Sequence, residues 1–169
     1  MLAEAAGRDS VIGNIAALVD RARAAGTPVV WVQHSDEDLP AGSPGWQLVP
    51  ELRLRDGEPV VHKHYGDSFE ATSLDQELAR RRIGRLVVTG AESDGCVRAT
   101  LHGAFVRGYD VTLVSDAHTT SDRTVEDGSL AGQVIPARQI IAHTNLYWGY
   151  QAGPERTAEV AAADQVRFG

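Results

Sequence analysis

The sequence predicts an α/β fold, a mainly parallel sheet with helices on both faces, and two observations predict it. Short β-rich runs alternate with longer amphipathic runs along the whole chain, and strands joined by helical crossovers run parallel. The chain has 169 residues, 43% of them apolar and 23% charged, which suits one domain, residues 1–169, around a sizeable core. No internal repeat, low-complexity tract or second domain interrupts the pattern.

The elements follow in order. Asp9 or Ser10 caps a helix that carries Val11, Ile12, Ile15, Leu18, Val19 and Ala22 on one face. Gly26 ends it and Pro28 blocks its continuation. The run 28–34, PVVWVQH, reads as a buried strand. Residues 35–58 form a long loop rich in proline and glycine, and loops of that length inside compact domains usually serve function. A strand is predicted over 59–63, a short amphipathic helix over 73–82, and a strand over 85–90. A helix over 94–107 places Val97, Leu101, Ala104 and Phe105 at core spacing, and a strand follows over 110–116. Helix is predicted around Thr124–Gly132, strand or helix over 139–148, and a last strand over 164–168.

Composition narrows the function classes. The formal net charge of −7 disfavours a nucleic-acid backbone or an anionic membrane as partner. No apolar run reaches the length of a membrane span, and the N-terminal MLAEAAGRDS has neither the basic nor the apolar region of a signal peptide. A single cysteine makes no internal disulfide, and the expected compartment is the reducing cytoplasm. There is no phosphate-binding glycine motif. The six histidines are scattered, with His62 and His64 on opposite faces of one strand, so surface or satisfied histidines are expected and no metal or cofactor.

The most informative segment is VVTGAESDGCVRATLHGAF, residues 87–105. A buried strand ends at Gly90, a polar turn follows, and a helix starts near Asp94. Cys96 therefore falls in a first helical turn, outside the carboxyl end of a parallel strand, where open α/β sheets bind ligands. Helix N-termini favour the reactive thiolate and offer N–H groups to an oxyanion. On position alone, a nucleophile and a small buried hydrophobe both remain open readings. Lys63 ends the strand over 59–63 at the same rim, and an ammonium there favours a thiolate. A solvated lysine at a strand exit is the alternative. Trp31, Gln33 and His34 end another strand at that rim, with Trp46 in the long loop. For Tyr65, Tyr147 and Trp148, as for these aromatics, pocket wall and packing are both open.

The segment GAESDGCVRATLHGAFVRGYDVTLVSDAHTT, residues 90–120, resembles the isochorismatase-like cysteine hydrolases. Gly90, Ser93, Asp94, Cys96, Val97, Gly108, Tyr109, Val111, Asp116 and Ala117 carry the likeness, which extends from about Asp9 to Trp148. The resemblance implies a three-layer α/β/α domain with a doubly wound sheet, Cys96 as nucleophile and Lys63 as its partner. It implies a cis peptide between Ala91 and Glu92, and oxyanion donors in the backbone N–H groups of Glu92 and Cys96. It maps Phe69 onto a Lys-x-x-x-Ser-x-Phe loop in which Asp67 replaces the serine. Gln33, His34, Trp46, Phe69, Tyr147 and Trp148 are the candidate pocket residues.

The implied reaction is hydrolysis of a small amide- or ureide-type C–N bond through a thioester, with a small-molecule substrate, no cofactor and a homodimer or higher homo-oligomer. One feature departs from the pattern. The family's catalytic Asp lies on a strand before the first helix, central in the sheet order 3-2-1-4-5-6, and residues 1–8 contain no such motif. The strands over 28–34 and 85–90 are therefore expected to lack their shared neighbour. Asp9, Asp36 and Asp94 do not replace the missing group, and Asp94 is expected to be structural. A silent or impaired member acting as a binding or assembly module, or an ether-cleaving isochorismatase, is the alternative.

Overall fold

The computed structural model describes residues 5–168. Helix α1 (Arg8–Ala24) follows Gly7, which takes a left-handed φ of 64°, and no side chain caps it. Asp9 lies in the first helical turn instead of at the cap, where its charge still opposes the helix dipole. The predicted apolar face is the buried one, and Gly26, at φ 69°, turns the chain out of the helix as expected.

Strand β1 (Trp31–His34) pairs in parallel with β2 (Val60–Lys63), and His34 stands opposite Lys63 in the register. The loop between them contains one short 3-10 turn, Pro44–Trp46. Helix α2 (Leu74–Arg80) buries Leu74 and Leu78, one helical turn apart. Strand β3 (Arg85–Ala91) leads through a turn to α3 (Arg98–Val106), and β4 (Asp110–Thr119) pairs with β3 in parallel. Helix α4 (Ala137–Gly149) resolves the ambiguous 139–148 segment as helix.

Two expectations are corrected. The segment around Thr124–Gly132 holds no α-helix, only a single 3-10 turn at Gly128–Leu130. It lies between β5 (Arg123–Thr124) and β6 (Val134–Ile135), an antiparallel pair closed by the Val125 N–H donating to the Gln133 carbonyl, the Gly132 N–H donating to the Val125 carbonyl, and turns through Gly128 and Gly132, both at positive φ. Glycine suits those turns and disfavours a helix interior. Nor does 164–168 form the last strand. That strand is β7 (Ala158–Ala161), parallel to β4, and Val166 instead packs under α1. The Arg21 guanidinium fixes this tail by donating to the carbonyls of Ala163 and Val166.

The layers follow from the two-residue period of the strands. In β4, Val111 and Leu113 face α2, α3 and α4, together with Leu86, Val88 and Val160. Val114 faces the other way, with Val87 and Ala161, against Val11, Ile15 and Leu18 of α1. One core thus lies on each face of the sheet, giving three layers. Trp148 fills the larger core at 0% exposure, edge-on to Phe105, with its indole N–H donating to the Val111 carbonyl at 3.3 Å.

The expected interruption of the sheet is present. The strand orders are β1–β2 and β3–β4–β7, and among the described residues no strand joins β1 to β3. A cleft of about 1750 Å³ separates them, lined by Leu18, Val30, Val32, Leu86 and Val88 and reaching Lys63 and Cys96. No helix among the described residues is long and apolar enough to cross a membrane.

A buried polar chain joins the layers. Asn145 donates through Nδ2 to the Ser115 carbonyl, so its Oδ1 faces His118 Nε2 at 2.9 Å. His118 Nε2 must therefore carry the proton, leaving Nδ1 to accept from the Ser93 hydroxyl at 2.7 Å. Burial pushes the His118 ring below its ordinary 6.5, which keeps it neutral.

Two outcomes follow from this packing. Trp148→Ala should destabilise the fold by about 3–5 kcal/mol in urea unfolding, through loss of a buried aromatic and the cavity left behind. Because His118 titrates lower in the folded state than in the unfolded chain, its contribution is complete above pH 6.5 and is lost as pH falls through the folded value. Urea midpoints measured at about pH 7.5 and about pH 5.5 should drop more for the parent chain than for His118→Gln. Equal drops would show that His118 does not carry the pH dependence.

Candidate active site

The site is built where β1, β2 and β3 end. After Ala91 the chain passes through a cis peptide to Glu92, as the resemblance implies. Residues Ser93–Val97 form a wide π-type turn kinked at Gly95, whose φ of −110° and ψ of −107° are not helical. The Glu92 carbonyl closes this turn by accepting from the N–H groups of Gly95 and Val97, each at 3.1 Å. Cys96 therefore sits in a distorted turn ahead of α3, not in a regular first helical turn. It is half-buried and faces the cleft.

Lys63 reaches it from β2. The lysine is 4% exposed, and its Nζ donates to Cys96 Sγ at 3.0 Å, to the Tyr65 carbonyl at 2.7 Å and to His34 Nδ1 at 3.3 Å. A solvated lysine at a strand exit is thus excluded. An ammonium this deep is tolerable only with acceptors on all its N–H bonds, and these are three. No carboxylate among the described residues touches Lys63.

The turn that carries Cys96 is braced by a cation that sequence reading missed. Arg123 donates to Glu92 Oε2 at 2.7 Å and to Asp94 Oδ2 at 2.9 Å, while the buried Thr120 hydroxyl donates to Asp94 Oδ1 at 2.7 Å. Burial pushes the Asp94 carboxyl up, but the bonds from Arg123 and Thr120 outweigh it and hold the group below its ordinary value. The same bonds, from Asp94 first and then Glu92, hold the Arg123 guanidinium firmly protonated. Asp94 is structural, as expected. Two acidic residues in and beside one turn are a sequence signal that a cation sits nearby, but Arg123 is 29 positions beyond Asp94, and no pattern in the sequence links the two.

The other candidates divide. Gln33, His34 and Trp46 line the cleft. Gln33 donates to the Trp46 carbonyl at 3.2 Å, and Trp46 stacks on His62 with ring centroids 5.6 Å apart. Phe69, Tyr147 and Trp148 do not line it. Phe69 and Trp148 are core residues, and Tyr147 packs between Arg98, His102 and His143 on the outer side of α3 and α4. Their apolar periodicity was a packing signal. Asp67, at the family's serine position, accepts the Phe69 N–H at 3.0 Å and lies against α3 at Gly103, where a Cβ would stand 2.3 Å from the carboxylate. Aspartate is therefore accommodated by a glycine one turn along the facing helix. Among the described residues no group of His, Cys, Asp and Glu is arranged to hold a metal ion.

Comparison with known proteins agrees with this geometry. A family model described as the isochorismatase domain matches residues 1–138. Streptothricin hydrolase of Streptomyces noursei is 35% identical over 164 residues, covering 95% of this chain and 58% of that protein. N-carbamoylsarcosine amidase of an Arthrobacter species is 31% identical over 124 residues, covering 61% of this chain and 47% of the amidase. The chain thus spans about half the length of these curated relatives. The crystal structure of an isochorismatase from Pseudomonas putida KT2440 superposes with a TM-score of 0.86 at 31% identity, covering 97% of this chain and 81% of that one. With the family model spanning most of its length and the fold shared throughout, the chain belongs to the isochorismatase family.

Proposed function

We propose that this chain carries the site of a cysteine-dependent hydrolase acting on a small amide- or ureide-type C–N bond. The observation that carries the reading is the 3.0 Å contact between a buried lysine ammonium and Cys96 Sγ, at the mouth of a cleft. The names of the relatives, a streptothricin hydrolase and an N-carbamoylsarcosine amidase, support C–N cleavage over ether cleavage.

The steps follow from the groups present. Lys63 keeps Cys96 as a thiolate, which attacks the carbonyl carbon. The electron pair of the C=O bond moves to oxygen, and the N–H groups of Glu92 and Cys96 hold the resulting oxyanion. Collapse of that oxyanion breaks the C–N bond. Lys63 gives a proton to the leaving nitrogen, and ammonia or an amine departs from a thioester. Water then adds to the thioester, returning a proton to Lys63 and releasing the acid and the thiolate.

A second reading, an assembly module without catalysis, is favoured by one observation. Among the described residues the facing edges of β1 and β3 have no strand partner along an apolar cleft, and unpaired edges attract other strands.

An ammonia-release screen over small amides and ureides separates the two. Turnover that disappears in Cys96→Ala, and falls at least about 100-fold in Lys63→Met, is the expected result. Activity surviving in Cys96→Ala would overturn the mechanism, and no turnover of any substrate would favour the assembly reading.

A further inference from the structure

The third acceptor of Lys63 is unlike the other two. Cys96 is the proposed nucleophile and the Tyr65 carbonyl belongs to the backbone, but His34 is a side chain held by a charge. Its Nε2 lies 2.8 Å from Asp36 Oδ2, two residues along the chain. The His34 ring, and after it the N–H of Leu39, hold the Asp36 carboxyl below its ordinary value, so Asp36 is the anion of the pair. An ionised Asp36 places the ring proton on Nε2, which leaves Nδ1 as a lone pair aimed at the ammonium.

The segment carrying the pair is itself fixed. Ser35 N–H donates to the Lys63 carbonyl at 3.0 Å, and His64 Nδ1 donates to the Ser35 carbonyl at 2.8 Å. The titratable groups around His34 are therefore Asp36, Lys63 and, through Ser35, His64.

We propose that the Asp36–His34 pair is a positioning relay that fixes the ammonium of Lys63 and so aims it at Cys96. Neither residue is hydrogen-bonded to Cys96 Sγ; His34 acts through Lys63, and Asp36 through His34. The relay converts an otherwise rotatable ammonium into one with each N–H directed. Removing the ring frees one N–H in a buried site and loosens the contact with sulfur. A ring protonated at both nitrogens has no acceptor to offer and repels the ammonium. The relay deepens the hydrolase reading and rests on it.

The test reads sulfur directly and needs no substrate. Second-order rates of Cys96 alkylation by iodoacetamide are measured across pH for the parent chain, His34→Leu, His34→Gln and Asp36→Asn, with urea midpoints confirming that each variant is folded. The parent should react faster than a free model thiol at mildly acidic pH. His34→Leu should react about tenfold more slowly there, because a loosened ammonium favours the thiolate less. His34→Gln, whose amide oxygen can accept from Lys63, should keep most of the parent rate, and Asp36→Asn should fall between. A parent-like profile in His34→Leu, or equal losses in His34→Leu and His34→Gln, would overturn the relay while leaving an activated Cys96 and the hydrolase reading intact. A parent Cys96 no faster than a free thiol would remove both.

Discussion

Burying the ammonium of Lys63 is the constraint on which the site turns. An isolated ammonium at this depth carries a large desolvation cost, and the structure offsets it by directing each N–H at an acceptor. Those acceptors come from three places: the end of β1, the chain just past β2, and the turn after β3. The parallel register of β1 and β2 sets His34 beside Lys63. Only a strand ending at Lys63, followed by a reversal at Tyr65, brings a carbonyl back to the same Nζ. The side chain is thus the point at which separate pieces of sheet must agree in position.

The turn that carries Cys96 meets the same demand by a different route. Its backbone departs from helical values at Gly95, and two acidic side chains stand in it or just before it. Such a turn would be loose on backbone bonds alone. Arg123 bridges Glu92 and Asp94, and Thr120 supplies a second donor to Asp94. Ser93, 0% exposed, is tied through His118 to Asn145 of α4. Because both braces reach β4 or the chain just beyond it, the position of Cys96 is set by the best-buried strand in the molecule.

These relations explain what could be read from the sequence and what could not. Runs such as RLVVTG and DVTLVSD announce buried strands because parallel strands covered on both faces need continuous apolar character. Cys96 and Lys63 were legible because each lies at a strand's carboxyl end and because the surrounding turn has a long family likeness. The Arg123 brace, the His118 chain and the Asp36–His34 pair were not. Each joins residues that share no periodicity, 25 to 31 positions apart for Ser93–His118 and Glu92–Arg123. The sequence offers Asp36 no evident role, and only the fold shows His34 standing between Asp36 and Lys63. Trp148 misled in the opposite sense, since an aromatic near a site reads alike whether it walls a pocket or fills a core.

The gap between β1 and β3 sharpens the question of what holds Lys63 against Cys96. Among the described residues no ladder of hydrogen bonds joins their sheets. On one face the tie is α1, whose apolar side packs on β3 and β4 while Arg23 near its end pairs with Glu58 at 2.7 Å. Glu58, held down to about 2 chiefly by Arg23, also accepts the indole N–H of Trp31 in β1 at 2.7 Å. On the other face the tie is the chain after β2. Ser68 bonds to Thr100 at 2.7 Å, Asp67 lies against Gly103, and Phe69 enters the core beneath Arg107. Both ties reach α3 or the sheet that α3 covers, so the two halves of the site are located by side chains instead of by strand pairing. A backbone ladder fixes spacing to a fraction of an ångström over several residues, whereas side-chain ties fix it at points. The Lys63–Cys96 contact is therefore itself one of the structural links across the cleft, and the chemistry of the site and its assembly rest on the same pair of atoms.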